Sequence, residues 1–401
     1  MKILMVVFNQ VGIGTYWRAF HLSRFLARRG HQVTLMATSP GRRAGIRIHQ
    51  TEGLRLVETP DLFSGSLRSG WDPWNIINRV VWLRDKEFDL VHTFEGRPTA
   101  IYPSLYIRKR LRIPLVMDWC DWFGQGGSVE ERPNRWLRTL LRPVETYYEE
   151  HFRTRADRTT VICSLLHQKA LDLGVPSNTM LDLPNGSDTE RLQPIEPGVA
   201  RKQTNLPDKA FIIGYVGTIF RRDGILMAEA FNRFAREAPE ARLLIAGYCP
   251  LDLRPLVSQP ERVTQTGFLS EVELNAYLAA SDIFWLPLSD TNANRGRFPL
   301  KLTDYMAIGR PVVATRVGDV QTVIEETRAG LLSQPEPEDL AAQTLRLYQD
   351  QTLRQTLGAN ARRAAESRFN WAYLAEELEG LYLSATQQTR NASSVGQQEP
   401  T

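Results

Sequence analysis

Short apolar runs alternate along the chain with longer stretches in which apolar positions recur every three or four residues. The runs read ILMVVF, QVTLMAT, LRLVET, DLVHTF, PLVMDW and TTVICS in the first half, then FIIGYVG, RLLIAG, IFWLPL and RPVVAT in the second. Apolar residues at both odd and even positions belong to strands buried on both faces, and the stretches between carry helical periodicity. Strands alternating with helices predict an α/β chain of doubly wound parallel sheets. Around residue 185 the alternation pauses in LPNGSDTERLQPIEPGVARKQTNLPDKA, whose Pro, Asn and Asp mark a connection. The pattern therefore predicts one domain over 1–190, a linker over 191–206 and a second domain over 207–369. NWAYLAEELEGLYLSA predicts a helix over 370–384, and the polar segment 385–401 lacks the apolar content to fold and is predicted disordered.

Composition narrows the class. A chain of 401 residues suits two domains of about 150 to 200 residues each, and 42% hydrophobic with 23% charged residues is the balance of a soluble globular protein. ILMVVF gives way to NQVGIG without a small-residue cleavage site, so it reads as a buried strand and not as a signal peptide. No stretch approaches the roughly 20 apolar residues of a membrane span, which leaves only peripheral attachment. Three cysteines, Cys120, Cys163 and Cys249, share no CxxC spacing and point to a reducing cytosol, where the NAS sequon at 391 is chance.

The net charge of +4 is modest but uneven: up to residue 190 there are 26 Lys/Arg against 20 Asp/Glu, and 23 against 25 thereafter. Clusters such as IRKRLRIP and RPNRWLRTLLRP suit phosphate-bearing surfaces, although a solvated basic face is the plainer reading. Between 131 and 158 arginines alternate with Trp136, Leu137, Leu140, Leu141, Tyr147 and Tyr148. That pattern is compatible with a helix on an anionic membrane or one packed on its own domain.

In open parallel sheets, ligands bind where strand ends lead into helix N-termini. After the first strand, NQVGIGTYWRAF places Gly12 and Gly14 in a turn that allows close approach of the backbone to a ligand. A dinucleotide fingerprint does not fit, because Trp17 replaces its third glycine and LMATSP lacks the ribose-binding acid. In the second half, YVGTIFRRDGILMAEAF brings Gly217, Thr218, Arg221 and Arg222 to a helix start, a combination that suits a diphosphate; solvated loop arginines are the alternative. FPLKLTDYMAIGRPVVAT sets Lys301 in the first turn of a short helix, at the end of the dipole that repels it. A surface pair with Asp304 contributes only about 0.2 to 0.5 kcal/mol and barely offsets that penalty. A bound anion at Lys301, with Asp304 accepting from a sugar hydroxyl, explains both residues better.

These residues carry a resemblance. From residue 1 to about 383 the chain resembles the nucleotide-sugar glycosyltransferases of the GT-B fold, and within them the retaining group called glycosyltransferase family four, or glycosyl transferases group 1. The densest matches are GFLSEVELNAYLAASDIFWLPL and FPLKLTDYMAIGRPVVATRVGDV; LARRGHQVTLMA, FDLVHTF, DWCDWF, VICSLLHQKALDLGV, LPNGSD and YVGTIF also match. The resemblance implies two Rossmann-like domains facing a cleft, with the 370–384 helix crossing back to the first. It assigns the donor diphosphate to Lys301 and an arginine of the 221–222 pair, Arg222 being the one beside Asp223, which stands in place of the usual lysine. Asp304 stands where the second glutamate of the family motif binds the ribose. Phe268 and Leu269 lie at the nucleobase, and Gly12 and Gly14 meet the diphosphate from the first domain. The first motif glutamate is replaced by Gly296, and Cys120 stands where many relatives have histidine, so neither usual role transfers.

The implied reaction moves a sugar, of hexosyl type, from a nucleotide-diphosphate sugar to an acceptor hydroxyl with retention. Fixed cations and helix N-termini stabilise the departing diphosphate. No Asp-X-Asp motif or paired histidine spacing is present, so no metal and no cofactor are expected. Catalytic weight falls on Arg222 and Lys301. His92, Glu95, Arg97 and Asp121, at strand ends of the first domain, are the acceptor-side candidates, with polar core or loop positions as the equal alternative. The expected partners are a nucleotide sugar and a glycan, lipid-linked or small-molecule acceptor, with peripheral contact to an anionic membrane and no nucleic acid. The expected location is cytoplasmic, at the inner face of the membrane. A nucleotide-sugar epimerase or hydrolase, and a nucleotide-sugar-binding protein of weak activity, are the alternatives.

Overall fold

The computed structural model describes residues 1–62 and 70–395. The chain forms two compact units, one of residues 1–184 with the terminal helix, the other of residues 185–370.

The first unit holds β1 (Lys2–Gln10), β2 (Gln32–Thr38), β3 (Arg47–Thr51), β4 (Leu54–Thr59), β5 (Leu90–Phe94), β6 (Leu115–Trp119), β7 (Arg158–Val161) and β8 (Met180–Asp182) in one sheet of order β3-β4-β2-β1-β5-β6-β7-β8. All neighbours are parallel except β3 on β4. Ile3 to Phe8 of β1 and every residue of β5 and β6 are buried, because helices cover both faces. The second unit holds β9 (Phe211–Val216), β10 (Ala241–Ala246), β11 (Val263–Gln265), β12 (Ile283–Leu286), β13 (Val312–Thr315) and β14 (Gly330–Ser333), all parallel, in the order β11-β10-β9-β12-β13-β14. Both sheets are doubly wound.

Three boundaries differ from the sequence reading. Residues 191–206 are not a bare linker: Pro197–Thr204 is a helix, started by the Glu196 carboxylate accepting from Val199 N and by a proline in its first turn, and it belongs to the second unit. The first unit ends at Pro184, so NGSD begins the second. The last helix runs Trp371–Val395, so residues 385–395 are helical where disorder was expected; 396–401 lie outside the described residues. The extension has a cause, since Tyr382 and Ala385 are buried and Thr386 nearly so. This helix packs within the first unit through His92 Nδ1 to Tyr382 Oη (2.6 Å), Arg29 to Glu379 (2.6 Å) and His21 stacked on Trp371.

The helix Arg135–Glu150 reverses the usual orientation of an amphipathic helix. Glu145 and Glu149 face inward, whereas Trp136, Leu137, Leu140, Val144 and Tyr147 are exposed. Leu141 and Tyr148 are half-buried. Its arginines do not all face solvent: Arg142 pairs with the Glu130 carboxylate at 2.7 Å and Arg138 donates to the Glu130 carbonyl.

Candidate active site

In the second unit the site is built around the end of β9. Val216 N donates to Tyr305 Oη (2.9 Å), and the Tyr305 ring lies flat on Phe284, which fixes the helix Leu300–Ala307 against the strand end. Leu302, Tyr305, Met306 and Ile308 are buried, as the helical spacing predicts. Gly217, with φ of +73°, then turns the backbone in the left-handed region that glycine favours. From the first turn of the helix, Lys301 reaches back to this turn: Nζ donates to Tyr215 Oη at 2.6 Å and approaches the Thr218 carbonyl at 3.5 Å, while Tyr215 Oη donates to the same carbonyl.

Lys301 and Asp304 form no ion pair among the described residues, so the surface pair is not the reason for either. Burial pushes Lys301 down to about 7, with Cys249 and Asp223 opposing. The side chain keeps some contact with solvent, which softens that push. Asp223 is buried and accepts from Ser289 Oγ at 2.5 Å. Burial pushes Asp304 up to about 7, a shift that Asp188 reinforces. The NGSD loop holds the helix start from the other side: Asn185 Nδ2 donates to the Phe298 carbonyl (2.6 Å) and Thr303 Oγ1 to the Gly186 carbonyl (2.9 Å). Arg221 and Arg222 open the helix Arg221–Glu237 and are exposed, Phe268 is exposed and Leu269 half-buried. Gly296 has φ of −83°, a conformation open to any residue, so its glycine answers no backbone demand.

The strand ends of the first unit are different. Gly12 and Gly14 both take positive φ in an exposed turn, and Trp17 Nε1 donates to the Gly12 carbonyl at 2.9 Å. Glu95, Arg97 and His92 are buried with internal partners. Glu95 itself sits at φ +68°, a costly conformation for a side chain with Cβ. Its carboxylate accepts from Cys120 N (2.6 Å), Asp121 N (3.1 Å) and Arg153 (2.8 Å). Burial pushes Glu95 up to about 7 despite Arg153. Gly96 is required, since a Cβ there would meet the Tyr148 carbonyl oxygen at 1.9 Å. Arg97 donates to Glu145 (2.8 Å) with the rings of Phe8, Trp71 and Phe123 around its guanidinium. His92, stacked on Phe94, is pushed down to about 4 by burial and stays neutral. Asp121 is half-buried.

Two residues at these edges escaped the sequence reading. Tyr215 was hidden inside an apolar strand run, and Tyr248 follows Gly247 at the end of β10, where the strand-end rule that selects Gly217 would also have found it. Among the described residues no group of three or more His, Cys, Asp or Glu side chains is placed to hold a metal ion, and no helix is long and apolar enough to cross a membrane. Among the described residues no disulfide joins Cys120, Cys163 or Cys249.

Comparison with known proteins adds the family. Residues 12–191 match the profile described as Glycosyltransferase Family 4, and residues 210–350 that described as Glycosyl transferases group 1. The chain is 25% identical to the MMP alpha-(1->4)-mannosyltransferase of Mycolicibacterium hassiacum, covering 93% of this chain and 95% of that one. It is 26% identical to the alpha-D-kanosaminyltransferase of Streptomyces kanamyceticus, over 71% and 73%. Its fold is similar to sucrose-phosphate synthase from Thermosynechococcus elongatus, with TM-score 0.75, 21% identity and coverage of 96% and 99%. It is also similar to Anabaena HepE crystallised in complex with UDP, with TM-score 0.70, 15% identity and coverage of 96% and 100%. Two doubly wound parallel sheets and both matched profiles lead to one conclusion: the chain is a GT-B glycosyltransferase and belongs to glycosyl transferases group 1, family four.

Proposed function

We propose that the chain transfers a hexosyl group from a nucleotide-diphosphate sugar to an acceptor hydroxyl with retention and without a metal ion or cofactor. One observation carries this reading: the Lys301 ammonium is drawn onto the Gly217–Thr218 turn and makes no ion pair among the described residues. A diphosphate at that turn meets Lys301 and the start of the helix Arg221–Glu237, with Arg221 and Arg222 long enough to close on it. Its arrival restores the ordinary basicity of Lys301, so binding near neutral pH takes up a proton.

When the bond from the anomeric carbon to the phosphate oxygen breaks, the electron pair stays on phosphate, where Lys301 and Arg222 stabilise it. The acceptor oxygen forms its bond on the same face of the sugar, and its proton passes to the departing phosphate oxygen. No protein nucleophile is needed. Asp304 serves the ribose and Phe268 with Leu269 the base. Asp121, less enclosed than His92, Glu95 and Arg97, is the acceptor-side group. The relative named as a mannosyltransferase and the HepE complex with UDP support a hexosyl donor carried on a nucleoside diphosphate.

The test is a panel of nucleotide sugars, scored first by thermal stabilisation of the protein and then by product analysis with excess chelator. Stabilisation by at least one donor, a product of retained anomeric configuration and chelator-resistant turnover are expected. An inverted product, or chelator inhibition relieved by one divalent ion, overturns those parts of the reading. A lipid-linked acceptor at an anionic membrane is favoured by the exposed Trp136, Leu140 and Tyr147 of the helix Arg135–Glu150. Failure to sediment with anionic vesicles removes it.

A further inference from the structure

The first sheet has a second edge, at its strand starts, that the proposed reaction does not use. Where β1, β2 and β4 pack under the helix Pro73–Leu83 they present Leu4, Met36 and Val57, in one apolar cluster with Leu83. The helix ends at Leu83, and two residues nearer the strand starts the same face turns polar, with Lys2, Thr34 and Arg55 in those places. The register extends the row, for Lys2 lies opposite Gln32, Thr34 opposite Arg55, and Arg55 opposite Gln50. Side chains paired across strands share a face. Residues 85–88 line the other side and leave a cavity of about 500 Å³, a volume within the range of small-molecule sites.

The uncommitted charge in this cavity is positive. Its carboxylates are engaged, Asp85 with Lys86 at 2.7 Å and Glu87 with Arg110 at 3.4 Å, and nearby Asp89 accepts from Lys2 N at 2.7 Å. The Lys2 ammonium and the Arg55 guanidinium have no hydrogen-bond or ion-pair partner among the described residues. Thr34 is only 5% exposed, yet its hydroxyl has no partner among them either. A buried hydroxyl without a protein partner is costly unless the cavity's occupant meets it. Gln32 and Gln50 add amides that both donate and accept, and Phe88 adds an apolar wall. We propose that the cavity binds a small phosphorylated polyol, its phosphate between Lys2 and Arg55 and its hydroxyls on Gln32, Thr34 and Gln50. The site lies at the opposite end of the sheet from the Gly12–Gly14 turn and is independent of the donor reading.

The experiment is calorimetric titration of the full chain with glycerol 3-phosphate, ribose 5-phosphate, ribose and inorganic phosphate. It is run on the wild type and on Lys2→Ala, Arg55→Ala, Thr34→Val and Lys301→Ala, each checked by thermal melting. At least one phosphorylated polyol should bind saturably, and more tightly than either ribose or inorganic phosphate. Lys2→Ala and Arg55→Ala should each weaken it about tenfold to a hundredfold, as loss of a charge-assisted hydrogen bond does, and Thr34→Val about two- to tenfold. Lys301→Ala should bind it as the wild type does. A wild type that binds neither phosphorylated polyol overturns the site. Inorganic phosphate binding as tightly as ribose 5-phosphate overturns recognition of the polyol. Binding kept in Arg55→Ala and lost in Lys301→Ala places the phosphate at the Gly217–Thr218 turn and overturns the cavity, while leaving the donor reading standing.

Discussion

The two sheets end in similar edges and handle charge there in opposite ways. In the first unit, Arg18 and Asp118 pair through two contacts of 2.9 and 2.8 Å, and Arg153 is shared among Glu95, the Asp118 carbonyl and the Glu149 carbonyl. All these side chains are buried. In the second unit Lys301 rests on one hydroxyl and a turn, and Arg221, Tyr248 and Phe268 face outward. The charged groups at the first edge are paired with one another, whereas Lys301 at the second edge has a hydroxyl and a carbonyl beside it and no carboxylate partner among the described residues. A displaced pKa therefore does not by itself mark a site. Glu95 and Lys301 both lie near 7, yet one is locked by three donors and the other stands on an open turn.

The sharpest way to break this comparison is to cut the self-satisfied edge. Arg153→Met leaves Glu95 without its cation in a buried setting, and a destabilisation of about 3 to 5 kcal/mol is expected in chemical denaturation. A loss under about 1 kcal/mol would mean that the network is not what holds the first edge.

The second edge should respond in activity before stability. Lys301→Ala is expected to lower turnover by about a hundredfold to a thousandfold, the equivalent of roughly 2.7 to 4 kcal/mol. Its melting temperature near neutral pH should be unchanged or raised, because alanine removes a cation that both the helix N-terminus and burial disfavour. Asp304→Asn, at the proposed ribose contact, which would be made equally before and during bond breaking, should raise KM more than it lowers kcat. Early unfolding of Lys301→Ala with normal turnover would make the lysine structural.

A further effect is a matter of pH. Asp304 rises from 3.8 to about 7 on folding, so between those values the folded chain holds a proton that the unfolded chain has released. Its contribution to stability falls as pH rises through that window. Lys301 drops from 10.5 to about 7, so between 7 and 10.5 the unfolded chain holds the extra proton and stability rises with pH. The two contributions meet in a minimum near neutrality in the ligand-free protein. Denaturation across pH should show Asp304→Asn flattening the acid side and Lys301→Met the alkaline side; profiles that both superimpose on the wild type would refute the assignment.

Of the fourteen strands among the described residues, ten are legible as apolar runs, and the four that are not share one property. β3, β8, β11 and β14 are the edge strands of their sheets. Edge strands such as RIHQT and MLD carry no continuous apolar run because one side faces solvent or a loop. The linker reading failed because a segment rich in Pro, Asn and Asp also supplies caps, as Glu196 and Pro197 do here. At the strand ends, the meeting of Lys301 with the Gly217–Thr218 turn was legible from spacing, since strand ends and helix starts fix where backbone and cation meet. Tyr215 and the Arg18–Asp118 pair were not, because their partners lie 86 and 100 residues away in sequence.

The bond between His92 and Tyr382 also sets an order of events during synthesis. His92 lies in β5, near the middle of the first sheet, and its partner arrives 290 residues later. At about 5 to 20 residues per second, the ribosome needs roughly 15 to 60 seconds to supply it. The second unit, uninterrupted from 185 to 370, has its whole sequence available before then. The half of the protein that begins first is thus the half that finishes last, and a nascent chain paused before Tyr382 should expose the His92 region to proteases while the second unit already resists them.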